Sequence, residues 1–285
     1  AIHVDGLTPC TGRSQLILDL TRKEVRDYIV DSVSAILGEY EIDYVKWDMN
    51  RTLTENYSAW LKNNGKETHH RYVLGLYEIL ERIESRFPNI LFEGCASGGC
   101  RFDPAMLYYF PQIWTSDNSD AYMRTVIQYG TSLCYPLSTQ SCHVSACPNH
   151  QCGRVTPFNS RGDIAHLGVT GYELDTTKLS GEELQCIAEQ VLQYKKIEKL
   201  VLEGDLYRLN YPLHENLFAE MLVSKDKTQA MLTVMRPISI TNDKAIRVYP
   251  KGLDESKRYY VPESKLTLSG RTLMNLGLIV SFANC

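Results

Sequence analysis

Two short segments of this chain combine apolar, strand-forming residues with a dense group of polar side chains. In the first segment, residues 42–51, the strand-forming residues are Ile42, Tyr44, Val45 and Trp47. The polar group consists of Lys46, Asp48, Asn50 and Arg51. Burying several charged groups is costly unless they pair with one another or with a ligand. In barrels of alternating strands and helices, catalytic side chains collect at the carboxyl ends of the strands. The segment therefore predicts a catalytic strand end, with a structural ion-pair cluster as the alternative.

The second segment, residues 113–120, repeats this design, because Ile113 and Trp114 lead into Asp117 and Asp120. Two strand-end carboxylates that face one pocket are the arrangement that glycoside hydrolysis uses. In a retaining glycosidase the two carboxyl groups lie roughly 5–5.5 Å apart, so that one attacks the anomeric carbon and the other protonates the leaving oxygen. Together the segments predict a glycoside hydrolase site.

The surroundings of the two aspartates indicate different roles. Lys46 and Asp48 project from the same side of a strand, since side chains alternate with a period of two. A nearby cation favours the ionised carboxylate, which is the form that a nucleophile must have. Asp117 has no adjacent base in the sequence, so it retains a proton more easily, as a general acid requires. We predict Asp48 as the nucleophile and Asp117 as the acid/base. Asp103 and Asp120 compete with Asp117 for the second role.

The elements that position these residues alternate between helices and strands up to about residue 206. Capping-box patterns, which mark helix starts, occur at residues 21–24 and 180–183. The first predicted helix follows the capping box at 21–24 and continues to Gly38, and the others cover 68–86, 104–110, 121–130 and 181–203. The predicted strands cover 42–48, 90–93, 113–114 and 132–136. The inner face of the helix at 68–86 is assigned to Leu74, Tyr77, Leu80 and Ile83. Residues 143–159 read as a loop.

After about residue 206 the pattern changes to short strands separated by turns. The predicted strands cover 218–223, 230–235, 245–249, 258–261 and 278–282. Turn residues such as Asp226-Lys227 and Asn242-Asp243 separate them, and no helix is predicted in this part. The pattern is typical of an antiparallel β domain. We therefore predict two domains, 1–206 and 207–285, and expect the second to be clipped at its carboxyl end.

The alternation in the first domain favours a parallel sheet closed by right-handed crossovers. The chain offers about five such strands, whereas a closed barrel of this kind has eight. The predicted fold is α/β, with the later strands and helices of a (β/α)8 TIM-type barrel in residues 1–206. A C-terminal antiparallel β-sandwich is predicted in residues 207–285. The front portion of the barrel is expected to be missing.

Composition excludes several classes of function. The 285 residues are 44% hydrophobic and 22% charged, which is ample for an apolar core. A formal net charge of −4 offers no basic surface, so nucleic-acid binding has no support. No apolar run reaches the roughly 18 residues that a membrane span needs, and no signal peptide opens the chain. Nine cysteines is an odd number, which favours free thiols and a reducing, cytoplasmic setting.

One cluster of residues resembles a set of zinc ligands. It comprises Cys142, His143, Cys147, His150 and Cys152. The spacings are not those of a zinc site with paired cysteines, and a proline interrupts the stretch, so a metal is the weaker interpretation. No phosphate loop, nucleotide fingerprint or serine-hydrolase elbow occurs either. We therefore predict that the protein needs no cofactor and no metal.

Several motifs, in order along almost the whole chain, resemble those of the α-galactosidases of glycoside hydrolase family 36. They are KWDMNR at 46–51, CASGGCRFDP at 95–104, WTSDN at 114–118, YP at 135–136, HVS at 143–145, PN at 148–149 and GYELD at 171–175. The resemblance implies a (β/α)8 barrel followed by a β-sandwich. It also implies retaining hydrolysis of terminal α-D-galactosides, such as melibiose and raffinose-type oligosaccharides. Family members carry an N-terminal β domain and the first barrel strands, which nothing in this chain matches.

The resemblance also assigns residues to roles. Asp48 would be the nucleophile and Asp117 the acid/base, while Arg13, Lys46, Asn50 and Cys95 would line the sugar site. For Arg13 the alternative is a solvated loop residue, and for Cys95 it is a buried free thiol. Two further residues are included in the predicted site: Trp47, which would stack on a sugar face or belong to the core, and Gly98, which would admit a ligand close to the backbone or form a turn.

Two other functions compete with this prediction. A transglycosylase or an α-N-acetylgalactosaminidase would use the same two aspartates. A non-catalytic or vestigial sugar-binding fragment is the alternative of a different class, because the front of the barrel is expected to be missing. The predicted partners are α-galactoside oligosaccharides, with a homo-oligomer left open.

Overall fold

The protein is described here by a computed structural model that covers residues 1–212, 216–238, 241 and 245–282. These residues fall into two compact units, 1–117 and 118–285. Within the described ranges, no helix is both long enough and apolar enough to cross a membrane.

The first unit alternates helices with parallel strands. Its elements are α1 (Lys23–Glu39), β1 (Tyr44–Asp48), α2 (Thr68–Arg86), β2 (Leu91–Cys95), α3 (Pro104–Tyr109) and β3 (Gln112–Trp114). The strands lie in the order β1-β2-β3, with β2 parallel to both neighbours. In this register Asp48 lies opposite Cys95, and Gly94 opposite Ile113. The three strands therefore end at one edge of the sheet.

One apolar cluster fills the space between these strands and helices. Helix α2 contributes a face of buried residues at helical spacing: Tyr72, Leu76, Ile79, Leu80 and Ile83. The assignment of Leu74 to this face was wrong, since Leu74 is exposed. The reason is geometric: Leu74 lies two residues from Leu76, about 200° around the helix from the buried face.

The predicted capping box at Thr21 is also wrong. Helix α1 begins at Lys23, its N-cap is Arg22, and no side chain caps it. The hydroxyl of Thr21 instead donates to the buried carboxylate of Asp19 at 2.6 Å. Glu24, the other half of the predicted box, pairs with Arg22. Thr21 and Glu24 therefore bind Asp19 and Arg22 and do not form a capping box.

The second unit begins with two parallel strands and their helices. Its elements up to residue 208 are α4 (Ala121–Ser132), β4 (Gln140–Ser145), α5 (Phe158–Ala165), β5 (Val169–Glu173), α6 (Gly181–Glu203) and β6 (Asp205–Arg208). Strands β4 and β5 pair in parallel. The capping box at Ser180 is confirmed, because its hydroxyl accepts from the amide of Glu183 and the Glu183 carboxylate accepts from the amide of Ser180.

The strand predicted at 132–136 is wrong. Ser132 ends α4, and the next strand is β4. Gln140 and Ser141 are polar but completely buried, so the pattern of apolar residues did not mark this strand. The predicted loop at 143–159 accordingly contains the end of β4 and the start of α5.

The rest of the second unit is mainly antiparallel. Its elements are β7 (Phe218–Val223), β8 (Ala230–Met235), β9 (Ala245–Val248), β10 (Arg258–Val261), β11 (Leu266–Ser269), α7 (Gly270–Leu276) and β12 (Leu278–Ser281). Antiparallel pairing joins β6-β7-β8, β9 with β12, and β10 with β11. Buried residues from several of these elements, including Met221, Val223, Leu253 and Leu273, form a shared cluster.

Most strands predicted in this part are confirmed, and β7, β8 and β10 have the predicted bounds. The absence of a helix was wrong, because α7 follows β11; its cap is Ser269, whose hydroxyl accepts from the amide of Thr272. The turn predicted at Asn242-Asp243 lies outside the described residues. The domain boundary predicted at residue 206 lies within β6, and this division stays a prediction.

Candidate active site

The candidate site starts where β1 and β2 end side by side. Asp48 is the last residue of β1 and lies opposite Cys95, the last residue of β2. The amide of Met49 donates to the carbonyl of Cys95 at 2.9 Å, which extends the pairing one residue further. The side chain of Asp48 is exposed at this edge, as a carboxylate that meets a ligand must be.

Asn50 holds the carboxylate of Asp48 in place. Its Nδ2 donates to Oδ2 of Asp48, and its Oδ1 accepts from the amide of Ser97 at 2.7 Å. The hydroxyl of Ser97 donates back to the carbonyl of Asn50 at 3.3 Å. One amide side chain therefore orients Asp48 and joins the loops that follow β1 and β2.

Cys95 is a second partner of Asp48. Burial raises the pKa of the Cys95 thiol to about 11, and the hydrogen bond to Asp48 contributes to the same shift. The sulfur is thus held as a neutral thiol beside a carboxylate, not as a thiolate nucleophile. Asp48 accordingly accepts hydrogen bonds from two side chains, those of Asn50 and Cys95, which fix the orientation of its carboxylate.

Lys46 lies on the same side of β1 as Asp48 and is held by a buried acid. Its Nζ lies 3.7 Å from Oε1 of Glu93 and 4.7 Å from the centre of the Trp114 ring. Glu93 is fully buried in β2, and its Oε2 accepts from the hydroxyl of Tyr44 and, at 3.1 Å, from Nε2 of Gln112. The buried carboxylate of Glu93, held by Tyr44 and Gln112, therefore fixes the position of the Lys46 ammonium.

The sequence reasoning did not assign a role to Glu93, Tyr44 or Gln112. A signal was present, because Glu93 interrupts an otherwise apolar strand, where an unpaired charge would be costly. Which side chains pair with Glu93 depends on the register of three strands, which the sequence pattern does not give.

Asp117 follows the third strand of this sheet and is reached by the loop after β2. Gly98 has a φ of +78°, and a Cβ at this residue would lie 2.7 Å from Cα of Ser116 and 2.9 Å from the amide nitrogen of Asp117. Such distances exclude any side chain at residue 98 without a backbone shift. Gly98 therefore allows the loop that carries Ser97 to contact the backbone at Asp117.

The two competing aspartates serve as helix caps. Asp103 caps α3 by accepting from the amides of Ala105 and Met106 at 2.9 and 3.0 Å. Asp120 is buried and caps α4 by accepting from the amide of Met123 at 3.2 Å. Its carboxylate also accepts from Arg154 at 3.0 Å. Packing and capping account for both residues.

The remaining predicted site residues lie in different surroundings. Arg13 is exposed, and its Nη1 donates to the hydroxyl of Ser97 at 3.3 Å. Trp47 points away from the side of Lys46 and Asp48, and its ring lies 6.4 Å from that of Phe110 in the apolar cluster. Core packing therefore explains Trp47, and its stacking on a sugar stays a prediction.

The cysteine and histidine cluster of the second unit is dispersed among other contacts. Cys142 is buried in the core, and His143 lies 3.2 Å from Glu173. The thiol of Cys147 lies 3.7 Å from the carbonyl of Thr156, and that of Cys152 lies 3.4 Å from Oδ1 of Asn149. In the described part of the chain, no group of three His, Cys, Asp or Glu residues is arranged to hold a metal ion.

Comparison with known proteins identifies relatives over the whole chain. The family model described as Melibiase matches residues 1–204. The model described as Glycosyl hydrolase family 36 C-terminal domain matches residues 218–284.

Curated relatives and solved structures carry consistent names. The chain is 47% identical over 277 residues to an α-galactosidase of Lactobacillus acidophilus, covering 97% of this chain and 38% of that protein. It is 47% identical over 282 residues to α-galactosidase AgaA of Geobacillus stearothermophilus, with 99% and 38% covered. The crystal structure of AgaA matches with a TM-score of 0.95 over 99% of this chain and 39% of that one. Other AgaA structures contain raffinose and stachyose. The chain thus spans 38% of the length of these two relatives. The structural match to AgaA confirms the predicted fold.

Proposed function

The chain belongs to the melibiase family and is related to the family 36 α-galactosidases, and from this premise we propose that the complete protein is a retaining α-galactosidase. Its substrates would be terminal, non-reducing α-D-galactosides such as melibiose and raffinose-type oligosaccharides. We also propose the division into a barrel portion, 1–206, and an antiparallel β domain, 207–285.

The observation that carries this proposal is the exposed carboxylate of Asp48 at a strand end. It accepts hydrogen bonds from the Asn50 amide and the Cys95 thiol. In the first step, a carboxylate oxygen of Asp48 attacks the anomeric carbon while the bond to the leaving oxygen breaks. Asp117 gives its proton to that oxygen. In the second step, Asp117 removes a proton from water as the water oxygen attacks the anomeric carbon and Asp48 departs.

The other polar groups of the candidate site bind the sugar in this proposal. The Arg13 guanidinium and the Lys46 ammonium donate to hydroxyl groups, while Asn50 and Cys95 line the site beside Asp48. The backbone at Gly98 allows close approach. Trp47 is retained as a sugar-stacking candidate, although its ring packs on Phe110.

The test is the substitution Asp48→Ala in the complete protein. Because the covalent intermediate requires this carboxylate, we expect turnover of an aryl α-galactoside to fall by several orders of magnitude, about 10⁴-fold or more. Azide should restore part of the turnover and give the inverted β-galactosyl azide. Asp43→Ala, at the residue preceding the same strand, is the matched control and should retain full activity.

Full activity of Asp48→Ala would contradict the assignment of the nucleophile. Products that are mainly transferred sugars, or a preference for α-N-acetylgalactosaminides, would instead favour the related activities. Sugar binding without turnover by the complete wild-type protein would favour a non-catalytic module.

We also propose a cytoplasmic location, supported by the eight described cysteines, all of which are free thiols. Cell fractionation of the source organism would test this. Assembly into a homo-oligomer can be measured by analytical ultracentrifugation of the complete protein.

A further inference from the structure

The turn that carries Arg13 has an unusual backbone. Arg13 and Ser14 have φ angles of 54° and 59°, both in the left-handed region. The amide of Gln15 donates to the carbonyl of Gly12 at 3.0 Å and closes the turn. Two consecutive positive φ angles define a turn whose central residues are usually Asn or Gly, so the conformation is strained for Arg and Ser. Some contact outside the turn has to hold it.

That contact is the guanidinium of Arg51. Its Nη2 donates to the carbonyl of Cys10 at 2.7 Å, and its Nε donates to the carbonyl of Gln15 at 3.2 Å. The two carbonyls lie on opposite sides of the turn, so one planar group bridges both of its arms. Gly12 provides the room, because a Cβ there would lie 3.1 Å from Cδ and Nε of Arg51.

Arg51 is itself held in place by its neighbours. Its Nη2 also donates to the hydroxyl of Thr54 at 3.0 Å. The guanidinium of Arg101 donates to the carbonyls of Met49 and, at 3.3 Å, of Arg51. The residue before Arg51 is Asn50, which orients Asp48. The same short segment therefore supports the proposed nucleophile on one side and the Arg13 turn on the other.

We propose that Arg51 is a positioning residue for sugar binding, which holds the strained turn 12–15 so that Arg13 stays beside Ser97 and faces the sugar. The inference rests on the proposed function, in which Arg13 contacts the galactosyl group. Arg51 does not touch the substrate in this account. Its planar fork is the property that matters, since Arg51 reaches the two carbonyls from two different nitrogens, whereas the three N–H groups of a lysine ammonium all start from one nitrogen.

The test is a double-mutant cycle in the complete protein, with kcat and KM measured on 4-nitrophenyl α-D-galactoside. Because Arg51→Lys loosens the turn, we expect kcat/KM to fall roughly 10- to 100-fold, mainly through KM. In the Arg13→Ala background, Arg51→Lys should lower kcat/KM by less than about threefold, because the effects of residues that act through one another are not additive. Arg71→Lys, in an exposed ion pair with Glu67, is the matched control.

A second variant separates positioning from general loss of structure. Ser14→Gly places the residue that best tolerates a positive φ in the turn. Added to Arg51→Lys, it should therefore reverse part of the increase in KM that Arg51→Lys causes. Equal losses from Arg51→Lys with and without Arg13, or no recovery with Ser14→Gly, would overturn the inference. Thermal unfolding of each variant identifies a global folding defect, which Ser14→Gly would not correct. Failure of the proposed function is distinguishable, because the wild-type protein would then lack turnover.

Discussion

At the scale of single residues, the aspartates of this chain differ through the groups that hold them. Asp103 and Asp120 accept hydrogen bonds from backbone amides and cap α3 and α4. Asp48 accepts hydrogen bonds from Asn50 and Cys95 and is exposed at the end of its strand. Asp117 follows β3 and is exposed where the loop at Gly98 meets its backbone. Environment, more than residue type, separates candidate catalysts from caps.

The role proposed for Asp117 predicts a dependence on the leaving group. Asp117→Ala removes the proton donor, so kcat/KM for melibiose should fall about 10²- to 10⁴-fold. The fall for 4-nitrophenyl α-D-galactoside should be much smaller, because nitrophenolate departs without protonation. Since kcat/KM reports the glycosylation step, the comparison isolates acid catalysis. Asp103→Ala is the control: it weakens a helix cap and should change both substrates by the same factor. Equal losses in Asp117→Ala would assign this residue to positioning.

At the scale of elements, strands bring residues that are distant in the chain to one edge. Three parallel strands carry Asp48, Cys95 and Trp114 at their ends, and the loop glycines let the following segments approach one another. The strand β7 shows a different effect of position, since all six of its residues are buried. One of them is Glu220, whose partner in the register is Arg208 of β6.

Glu220 predicts a pH-dependent stability. Burial raises the pKa of Glu220 from its ordinary 4.5 to about 7, although Arg208 acts in the opposite direction. A raised pKa means that the folded state keeps a proton that the unfolded state has lost. The stabilisation is therefore complete below pH 4.5 and is lost as the pH rises towards 7, by at most about 3 kcal/mol.

The measurement is the thermal midpoint of the complete protein between pH 5 and pH 8. Glu220→Gln mimics the protonated acid, so it should match the wild type near pH 5 and exceed it near pH 8. Glu203→Gln, an exposed position at the end of α6, should leave the pH profile unchanged. A wild-type midpoint that falls equally in the Glu220→Gln variant would show that another group is responsible.

At the scale of the whole molecule, the chain matches only part of the length of relatives that are named α-galactosidases. It spans 38% of the length of the two relatives compared above. Its described residues include five strands of the alternating type, β1 to β5, whereas a closed barrel has eight. Among the described residues, β1 pairs only with β2, and Tyr44 on β1 is substantially exposed. An edge strand with exposed apolar side chains is the kind of surface that further strands cover.

We predict that the 285-residue chain alone hydrolyses α-galactosides poorly. Both proposed catalytic aspartates are present, but the chain spans 38% of the length of two relatives, and we expect residues outside it to contact the sugar. Losing such contacts reduces transition-state binding. The chain and the complete protein should be purified and assayed together on 4-nitrophenyl α-D-galactoside. The complete protein carrying Asp48→Ala gives the background. Comparable specific activity of the two wild-type proteins would contradict the prediction.

Local sequence patterns were sufficient for much of this architecture. The bounds of α2, β7, β8 and β10 were predicted because periodicity and turn residues act over a few neighbours. The polar strand end at Lys46 and Asp48 was visible for the same reason. Patterns of this kind failed where polar residues are buried, as at Gln140 in β4. They also failed at Thr21, because its hydroxyl binds the nearby Asp19 and does not cap the helix.

The assembly of the candidate site depends on contacts between residues far apart in the chain. Arg51 bridges a turn some forty positions earlier, Glu93 joins Lys46 to Tyr44, and Gly98 contacts the backbone at Asp117. The partners in these contacts have no local signature, because strand register and loop approach decide which side chains meet. Residue types and spacing could therefore name Asp48 and Asp117 as candidates. Only the folded chain showed that Asn50 and Cys95 bind Asp48 and that Arg51 holds the Arg13 turn, because these contacts depend on how distant segments meet.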